Sequence, residues 1–540
     1  MNTNFTFTFS PGISSFELLS KQFKDVILPA KVFTENKKTV IWGYFSSYSP
    51  EISENDLANE LEEHGFKRIA NSNCDYLLFI WDKKAKKLLV GLDNIISISC
   101  YFTILDNQII FSSDFSEIKN AVSRHKKLIA DLDGLLTYIT NGWHATDRTI
   151  LDSVKMVPPG SVAEFAFSSS ISYQIKSLID VDGILSSLFG DEFRDDKEFA
   201  KALESVLTDA VARRLEKIPR GTHIGCEISS GFDCTLIAYI IAKLIGPENF
   251  YCYSFYFPEG YGTESLSIIH KFADRHSLQL RAVELNPKEG YARDYFKLWK
   301  DDDLLQLHAD YFGDYIKLLK KYAPRLLFTG QHGDETYSLK ELAVSAKYSR
   351  QMSYFDNVRW LKKDNQAILY TQKGLDLLLD WKRFNSRGIY PVFYSDINLA
   401  ETALIDQIYR SFGTRQVSPY LDLQLLSVGI RRGSKKKEVQ DEKQSFLQYF
   451  DHIFIPEMFI PKKGGTEFAL YFPRNQKTLI SWVMKNSVLA QHGLIDSKKI
   501  MQMMANKNSP LYKDAFVALA FEYLVRADWY LIKNRISLPI

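Results

Sequence analysis

Ten residues, Cys226-Glu-Ile-Ser-Ser-Gly-Phe-Asp-Cys-Thr235, constrain this chain more than any others. His223 to Ile228 alternates as a strand does, with Ile224, Cys226 and Ile228 on one side. From Thr235 onward, Leu236, Ile237, Ile240, Ile241 and Leu244 recur at helical spacing. Ser229, Ser230 and Gly231 therefore form a tight strand-to-helix turn, where backbone N–H groups and the helix dipole point at one spot. Such a spot attracts an anion. Asp233 beside it would repel phosphate, but it suits the magnesium that accompanies pyrophosphate. The chemistry implied is nucleotide activation. Taken alone, the same residues also fit an ordinary turn with a serine cap.

A second strand-to-loop junction, Leu326-Leu-Phe-Thr-Gly-Gln-His-Gly-Asp-Glu335, carries another acid, Asp334. Between the two junctions lie a strand at Phe250 to Phe257 and a helix from about Glu264 to Arg275. Strands alternating with helices predict a parallel sheet whose ligands bind at the strand C-termini. Both loops would then leave the same edge, so Asp233 and Asp334 are expected to flank one metal ion, and Thr329-Gly330 to let backbone approach a nucleotide closely. Phe255, near the end of the intervening strand, is the expected adenine contact.

The rest of the chain sets the frame. At 540 residues it is too long for one core. Residues 1–170 read as a strand-rich domain and 171–196, following a Ser-rich run and turning acidic, as a linker. Residues 197–540 read as the second domain, mostly helical beyond 336. In the first part, Tyr76 to Asp82 and Lys87 to Gly91 flank a lysine-rich turn, and Tyr101 to Leu105 and Gln108 to Ser113 flank Asp106-Asn107. Both are hairpin signals. Met156 to Phe167 reads as a turn leading into a strand. A stripe of Phe199, Leu203, Val206, Leu207, Ala210, Val211 and Leu215 predicts a helix before the Ser229 loop.

Composition excludes several classes. Lys+Arg 67 against Asp+Glu 65 creates no field for nucleic acid or anionic membrane. The run Arg431-Arg-Gly-Ser-Lys-Lys-Lys437 reads as a solvated face, not a nucleic-acid patch. The longest apolar run, Leu236 to Ile245, contains Lys243 and is too short to span a bilayer. Five cysteines (74, 100, 226, 234, 252), odd in number and without CxxC spacing, fit reduced thiols. The N-terminus, strand-like and without a basic segment, is not a signal peptide. The expected location is cytoplasmic.

With these motifs in order, the chain resembles the asparagine synthetase family. The family's pyrophosphate loop, Ser-Gly-Gly-x-Asp-Ser, is similar to Ser229-Ser-Gly-Phe-Asp-Cys234, and its Ser-Gly-x-Gly-x-Asp-Glu to Thr329-Gly-Gln-His-Gly-Asp-Glu335. Its Arg-x-Pro-Phe-Leu-Asp segment resembles Gln416-Val-Ser-Pro-Tyr-Leu-Asp422, and its Arg-Pro-Lys-x-Gly resembles Ile460-Pro-Lys-Lys-Gly464. In the first half, Leu92 to Phe102, Phe111 to Lys119 and Asp147 to Gly160 look like segments of the family's glutaminase domain. The resemblance implies an α/β protein: an N-terminal Ntn-hydrolase-like αββα domain followed by a PP-loop ATP pyrophosphatase-type parallel domain with a helical C-terminal part.

The resemblance also assigns roles. ATP and Mg2+ are the implied cofactors. Ile228, Ser229, Ser230, Gly231, Asp233, Cys234, Phe255, Thr329 and Gly330 would bind the nucleotide, and Asp233 and Asp334 the metal. Lys462, chosen over Lys463 by motif register, would be the catalytic lysine, with Glu335 supporting the magnesium loop. The departures matter equally. The family's glutaminase uses a cysteine directly after the initiator Met, whereas Asn2 stands here and the first cysteine is Cys74. Ser230 and Cys234 alter the phosphate loop, His332 stands where Gly is usual, and Gln331 stands where the family varies. A relative without glutaminase is expected to join a carboxylate to an amine already on its substrate, as beta-lactam synthetases and lasso-peptide macrolactam cyclases do. The expected partners are a peptide or small-molecule substrate, a precursor peptide and a leader protease in the lasso case, and neither nucleic acid nor membrane. The alternatives are an ammonia-dependent asparagine synthetase and a non-catalytic nucleotide- or partner-binding relative.

Overall fold

The computed structural model describes residues 5–10, 30–49, 52, 56–70, 72–93, 99–141, 147–158, 160–178, 192–257, 261–285, 313–333, 336, 366–385, 409, 412–432, 445–459 and 467–539. The first half is built on two antiparallel sheets. One holds β1 (Thr6–Phe9), β6 (Tyr101–Leu105), β7 (Gln108–Ser112) and β8 (Lys155–Met156), in the order β1-β7-β6-β8. The other runs β10-β9-β5-β4-β3-β2, from β2 (Ala30–Glu35), β3 (Thr39–Ser47), β4 (Cys74–Asp82), β5 (Lys87–Leu92), β9 (Ser161–Phe167) and β10 (Ile171–Ser177).

Strand β4 explains the layering. Its side chains alternate between two apolar environments. Leu77, Phe79 and Trp81 face Phe7, Phe9 and Phe111 of the smaller sheet. Tyr76, Leu78 and Ile80 face Leu57, Leu61, Phe66 and Ile69, which come from α1 (Leu57–His64) and α2 (Phe66–Ala70). The outer face of the smaller sheet carries α3 (Phe115–His125) and α4 (Leu132–Asn141). The layers run helix, sheet, sheet, helix, as expected. Both predicted hairpins form, β4–β5 and β6–β7. The second turns on Asp106 and Asn107 at φ 48° and 57°, the left-handed pair that two-residue hairpins favour.

The expected linker needs correction. Ser168 to Ser170 is a hairpin turn, and Ile171–Ser177 is β10, paired along its length with β9. Residues 171–177 therefore belong to the first sheet. The physical reason is alternation within the polar run: the Tyr173 ring packs against Phe102 and Phe165.

The second half holds a parallel sheet of β11 (Ile224–Glu227), β12 (Phe250–Tyr256), β13 (Leu280–Glu284), β14 (Leu326–Phe328) and β15 (Arg415–Val417), ordered β13-β12-β11-β14-β15. Strand β15 went unanticipated, because three residues, Arg-Gln-Val, carry no strand periodicity. One face of the sheet is covered by α5 (Asp196–Glu216), α6 (Phe232–Ile245) and α7 (Tyr261–Arg275). Helix α8 (Gly313–Tyr322) packs on the other face. The long C-terminal helix α9 (Ala515–Lys533) packs against α4 of the first half, and Lys119 donates to Asn534 at 2.9 Å.

Polar groups also join the halves. The Arg415 guanidinium, on β15, pairs with Asp75 of β4, and Tyr48 donates to the same carboxylate at 3.0 Å. Asp422 accepts from Arg213 at 2.9 Å, Arg214 at 3.0 Å and Asn73 at 3.2 Å. Asp75, Arg415, Arg214 and Asp422 are all buried. Among the described residues, no helix is long and apolar enough to cross a membrane.

Two stability measurements follow from this packing. Asp75→Asn strips the charge from a buried pair and leaves Arg415 uncompensated, so denaturant melts should show a loss of about 3–5 kcal/mol. Adding Arg415→Met should recover most of it. Asp528 lies buried in α9 with its carboxylate accepting from Val488 and Leu489 amides, and burial raises its pKa to about 6. The native state thus keeps this proton to higher pH than the unfolded chain, and stability falls as pH rises from about 4 to about 6. Asp528→Asn should gain up to about 3 kcal/mol above that window and nothing below it.

Candidate nucleotide site

Strand order places the site. From β11 the chain moves outward through β12 and β13, then returns to lay β14 against the opposite side of β11. At such a reversal the loops leaving the two central strands part to opposite faces of the sheet, and a crevice opens at their carboxyl ends. The loop after β11 (228–231) and the loop after β14 (329–333) leave the sheet at this reversal.

The first loop is built for close approach. Gly231 caps α6 in extended conformation, and no side chain caps the helix in its place, so the positive end of the helix dipole lies at this turn. Ser229 is exposed and accepts from the Gly231 amide at 3.0 Å. Thr235 anchors the turn from below, donating to the Ser229 and Gly231 carbonyls at 2.8 and 2.7 Å. The Ile228 amide is tied to the Tyr253 carbonyl at 2.9 Å. Ser230, whose side chain threatened to fill the turn, is buried, and its hydroxyl pairs with Ser265 of α7 at 3.1 Å.

The second loop lies directly on the first. A Cβ at Gly330 would sit 2.3 Å from the Cys234 amide nitrogen, and one at Gly333 would sit 2.6 Å from the Asp233 carboxylate. Glycine is the residue both contacts allow. Gly333 immediately precedes Asp334, which lies outside the described residues, as do Glu335 and Lys462. Asp233 is therefore the described carboxylate at this junction, and its neighbour in the opposite loop is the backbone leading into position 334. This arrangement fits a divalent ion shared between the loops. Among the described residues alone, no group of three or more His, Cys, Asp and Glu side chains forms a metal cluster.

The remaining side chains are held by pairing and burial. Thr329 is buried, and its amide donates to the Val417 carbonyl at 2.9 Å. Burial pushes the Cys234 thiol up to about 12, so it stays protonated and acts as a weak donor. His332 is buried at φ 70°, the left-handed conformation that favours glycine. Burial takes its pKa down to about 3, leaving a neutral imidazole. Phe255 is partly exposed, and its ring lies 5.2 Å from Tyr315 of α8.

The Gln416–Asp422 segment, matched in sequence to a family motif, ties the loops to each other: Ser418 donates to the Gln331 carbonyl at 2.6 Å, Gln416 to the Gln331 side chain, and Tyr420 to the Asp233 carbonyl at 3.3 Å. One group escaped the sequence reading: Glu227, whose Oε1 accepts from Tyr315 at 2.9 Å and Tyr409 at 3.2 Å. A charged residue inside an otherwise apolar strand was the available signal for it.

Residues 202–531 match the asparagine synthase family, and residues 53–174 match the glutamine amidotransferase domain. The chain belongs to the asparagine synthase family. No curated protein matches it in sequence. Among solved structures, it is similar to a glutamine phosphoribosylpyrophosphate amidotransferase from B. subtilis complexed with ADP and GMP, at 8% identity over 48% of each chain with a TM-score of 0.19. A structure described as the allosteric regulatory enzyme of purine biosynthesis matches at 9% identity, over 42% of this chain and 46% of that one, with a TM-score of 0.19. The U34-tRNA thiolase NcsA from Methanococcus maripaludis, with its 4Fe-4S cluster, matches at 9% identity over 52% and 79%, with a TM-score of 0.22. This chain spans about half the length of the first two.

The loop contact can be tested with two glycines. Gly330→Ala forces backbone to move and should cost about 1–3 kcal/mol in denaturant melts. At Gly231 the nearest neighbour of an added Cβ is the Ser229 hydroxyl at 3.1 Å, which can rotate, so Gly231→Ala should cost less than about 1 kcal/mol.

Proposed function

We propose that this family member is an ATP-dependent carbon–nitrogen ligase that activates a carboxylate and couples it to an amine. The observation that carries the reading is the meeting of the 228–231 and 329–333 loops at the sheet's reversal, close enough that Gly330 lies on the Cys234 backbone. The exposed Ser229 and the N-terminus of α6 suit the phosphates of ATP. Asp233, with Asp334 after Gly333, would hold magnesium, whose charge offsets that of the triphosphate.

In this reading the substrate carboxylate attacks the α-phosphorus of ATP and pyrophosphate leaves. The acyl-adenylate is then captured by the amine, releasing AMP and forming the amide. Lys462 stabilises charge first on phosphorus and then on the tetrahedral carbon, and Glu335 supports the adjoining loop. The protonated Cys234 thiol replaces a hydroxyl as a weak donor. With its side chain turned to Ser265, Ser230 leaves the turn's backbone open.

We take the amidotransferase-like half to be a scaffold without glutaminase activity. Its two cysteines, Cys74 and Cys100, are both buried, and burial pushes the Cys100 thiol far up, away from the thiolate that nucleophilic attack requires. In this reading the enzyme draws no ammonia from glutamine and takes an amine already present on its substrate. The resemblance to lasso-peptide cyclases favours an intramolecular macrolactam, with a precursor peptide and a leader protease as partners. Pyrophosphate release with ATP, magnesium and candidate carboxylates tests the reading. Turnover should appear in the wild type and fall about 10²–10³-fold in Lys462→Ala with ATP-induced thermal stabilisation intact. Near-normal turnover in Lys462→Ala would refute the role given to that lysine.

A further inference from the structure

Glu227 has no part in holding ATP in the reading above, yet it stands at the same mouth. It is the last residue of β11, directly before Ile228, and its side chain points to the face opposite Cys226 and Ile228. Three segments of chain converge on this one carboxyl group. Tyr315 of α8 donates at 2.9 Å and Tyr409 at 3.2 Å, and the Thr329 hydroxyl, from the second loop, is a further donor. Burial raises the Glu227 pKa, and the three hydroxyls pull it part of the way back.

The strand itself does not call for an acid here. The central strands of a parallel sheet are ordinarily apolar, and on this face the neighbours of β11 are Tyr253 and Leu327. A carboxylate in such surroundings is costly unless a cation compensates it. Among the described residues, no ion pair from Lys, Arg or His reaches Glu227. Its partners are hydroxyls, which orient the group without neutralising it. The residue as a whole is only partly buried. Phe255 extends the wall beside it, with its ring 5.2 Å from that of Tyr315. One oriented carboxylate next to aromatic rings recognises an ammonium group.

We propose that Glu227, flanked by Tyr315, Tyr409 and Phe255, seats the ammonium end of the amine co-substrate. The inference rests on the ligase reading and assigns the amine a place within it: beside the nucleotide loops, on the opposite face of β11 from Ile228. The ligand class is a primary ammonium.

The full-length protein can be titrated with glycinamide hydrochloride as the ammonium probe. Acetamide in sodium chloride serves as the uncharged counterpart, and calorimetry and thermal shift as the readouts. The wild type should bind glycinamide and not acetamide. Glu227→Gln keeps the size and an acceptor for the tyrosines but removes the charge, and should weaken glycinamide binding about tenfold or more while keeping ATP-induced stabilisation. Glu227→Leu gives the same readout if the glutamine variant does not fold. Equal binding of glycinamide by wild type and variant, equal binding of glycinamide and acetamide, or no glycinamide binding by the wild type would each overturn the seat and leave the ligase reading standing. Absence of ATP-induced stabilisation in the wild type would instead count against the ligase reading, and the glycinamide titration would still judge Glu227.

Discussion

The pairing of β11 with β12 on one side and β14 on the other governs everything at this site. A strand with parallel partners on both sides reaches its next strand only by a crossover over a face of the sheet. The loop must turn away at once. Ser229, Ser230 and Gly231 make that turn, and α6 begins at the next residue, Phe232. The loop after β14 leaves beside it, and the glycines at 330 and 333 let the two backbones touch. Without the reversal in strand order, Asp233 and the backbone leading to Asp334 would be separated by the width of a strand.

The two halves are not independent supports. Arg415 begins β15, the edge strand whose continuation contacts both site loops through Gln416, Ser418 and Tyr420, and Asp75 of the first half holds that arginine. Asp422, a few residues on, caps the following helix through the Gln424 amide at 3.1 Å and gathers Arg213, Arg214 and Asn73. Buried ionic groups add little net stability over an apolar packing of the same volume, but they are intolerant of misplacement. They therefore set where the 415–422 segment lies relative to the first half. The half that matches the glutamine amidotransferase domain has this structural reason for its place beside the second half.

Much of this was legible from local patterns. The hairpins at β4–β5 and β6–β7 announced themselves because alternation and turn residues act within a few positions. The strand-turn-helix at Ser229 was legible for the same reason. Where local signals conflict or are short, the reading failed. The Ser-rich run at 168–170 looked like a linker because turns and linkers share a composition, and only pairing with β9 made Ile171–Ser177 a strand. Strand β15 is three residues long and is ordered by its neighbour β14. Glu227 was passed over because its hydroxyl partners lie 88, 102 and 182 residues away.

Local chemistry alone was enough to mark two strand-to-loop junctions, an acid in each, and a resemblance to the family that the chain matches, because backbone propensity and residue type act over a few residues. Long-range packing decided the rest. It chose which strands are neighbours, turned the Ser230 hydroxyl toward Ser265 and out of the turn, buried His332 as a neutral ring, and brought two tyrosines and a threonine to one carboxylate. Each of these depends on groups from separate elements meeting across tens of residues or more, and no periodicity in a linear chain encodes such a meeting.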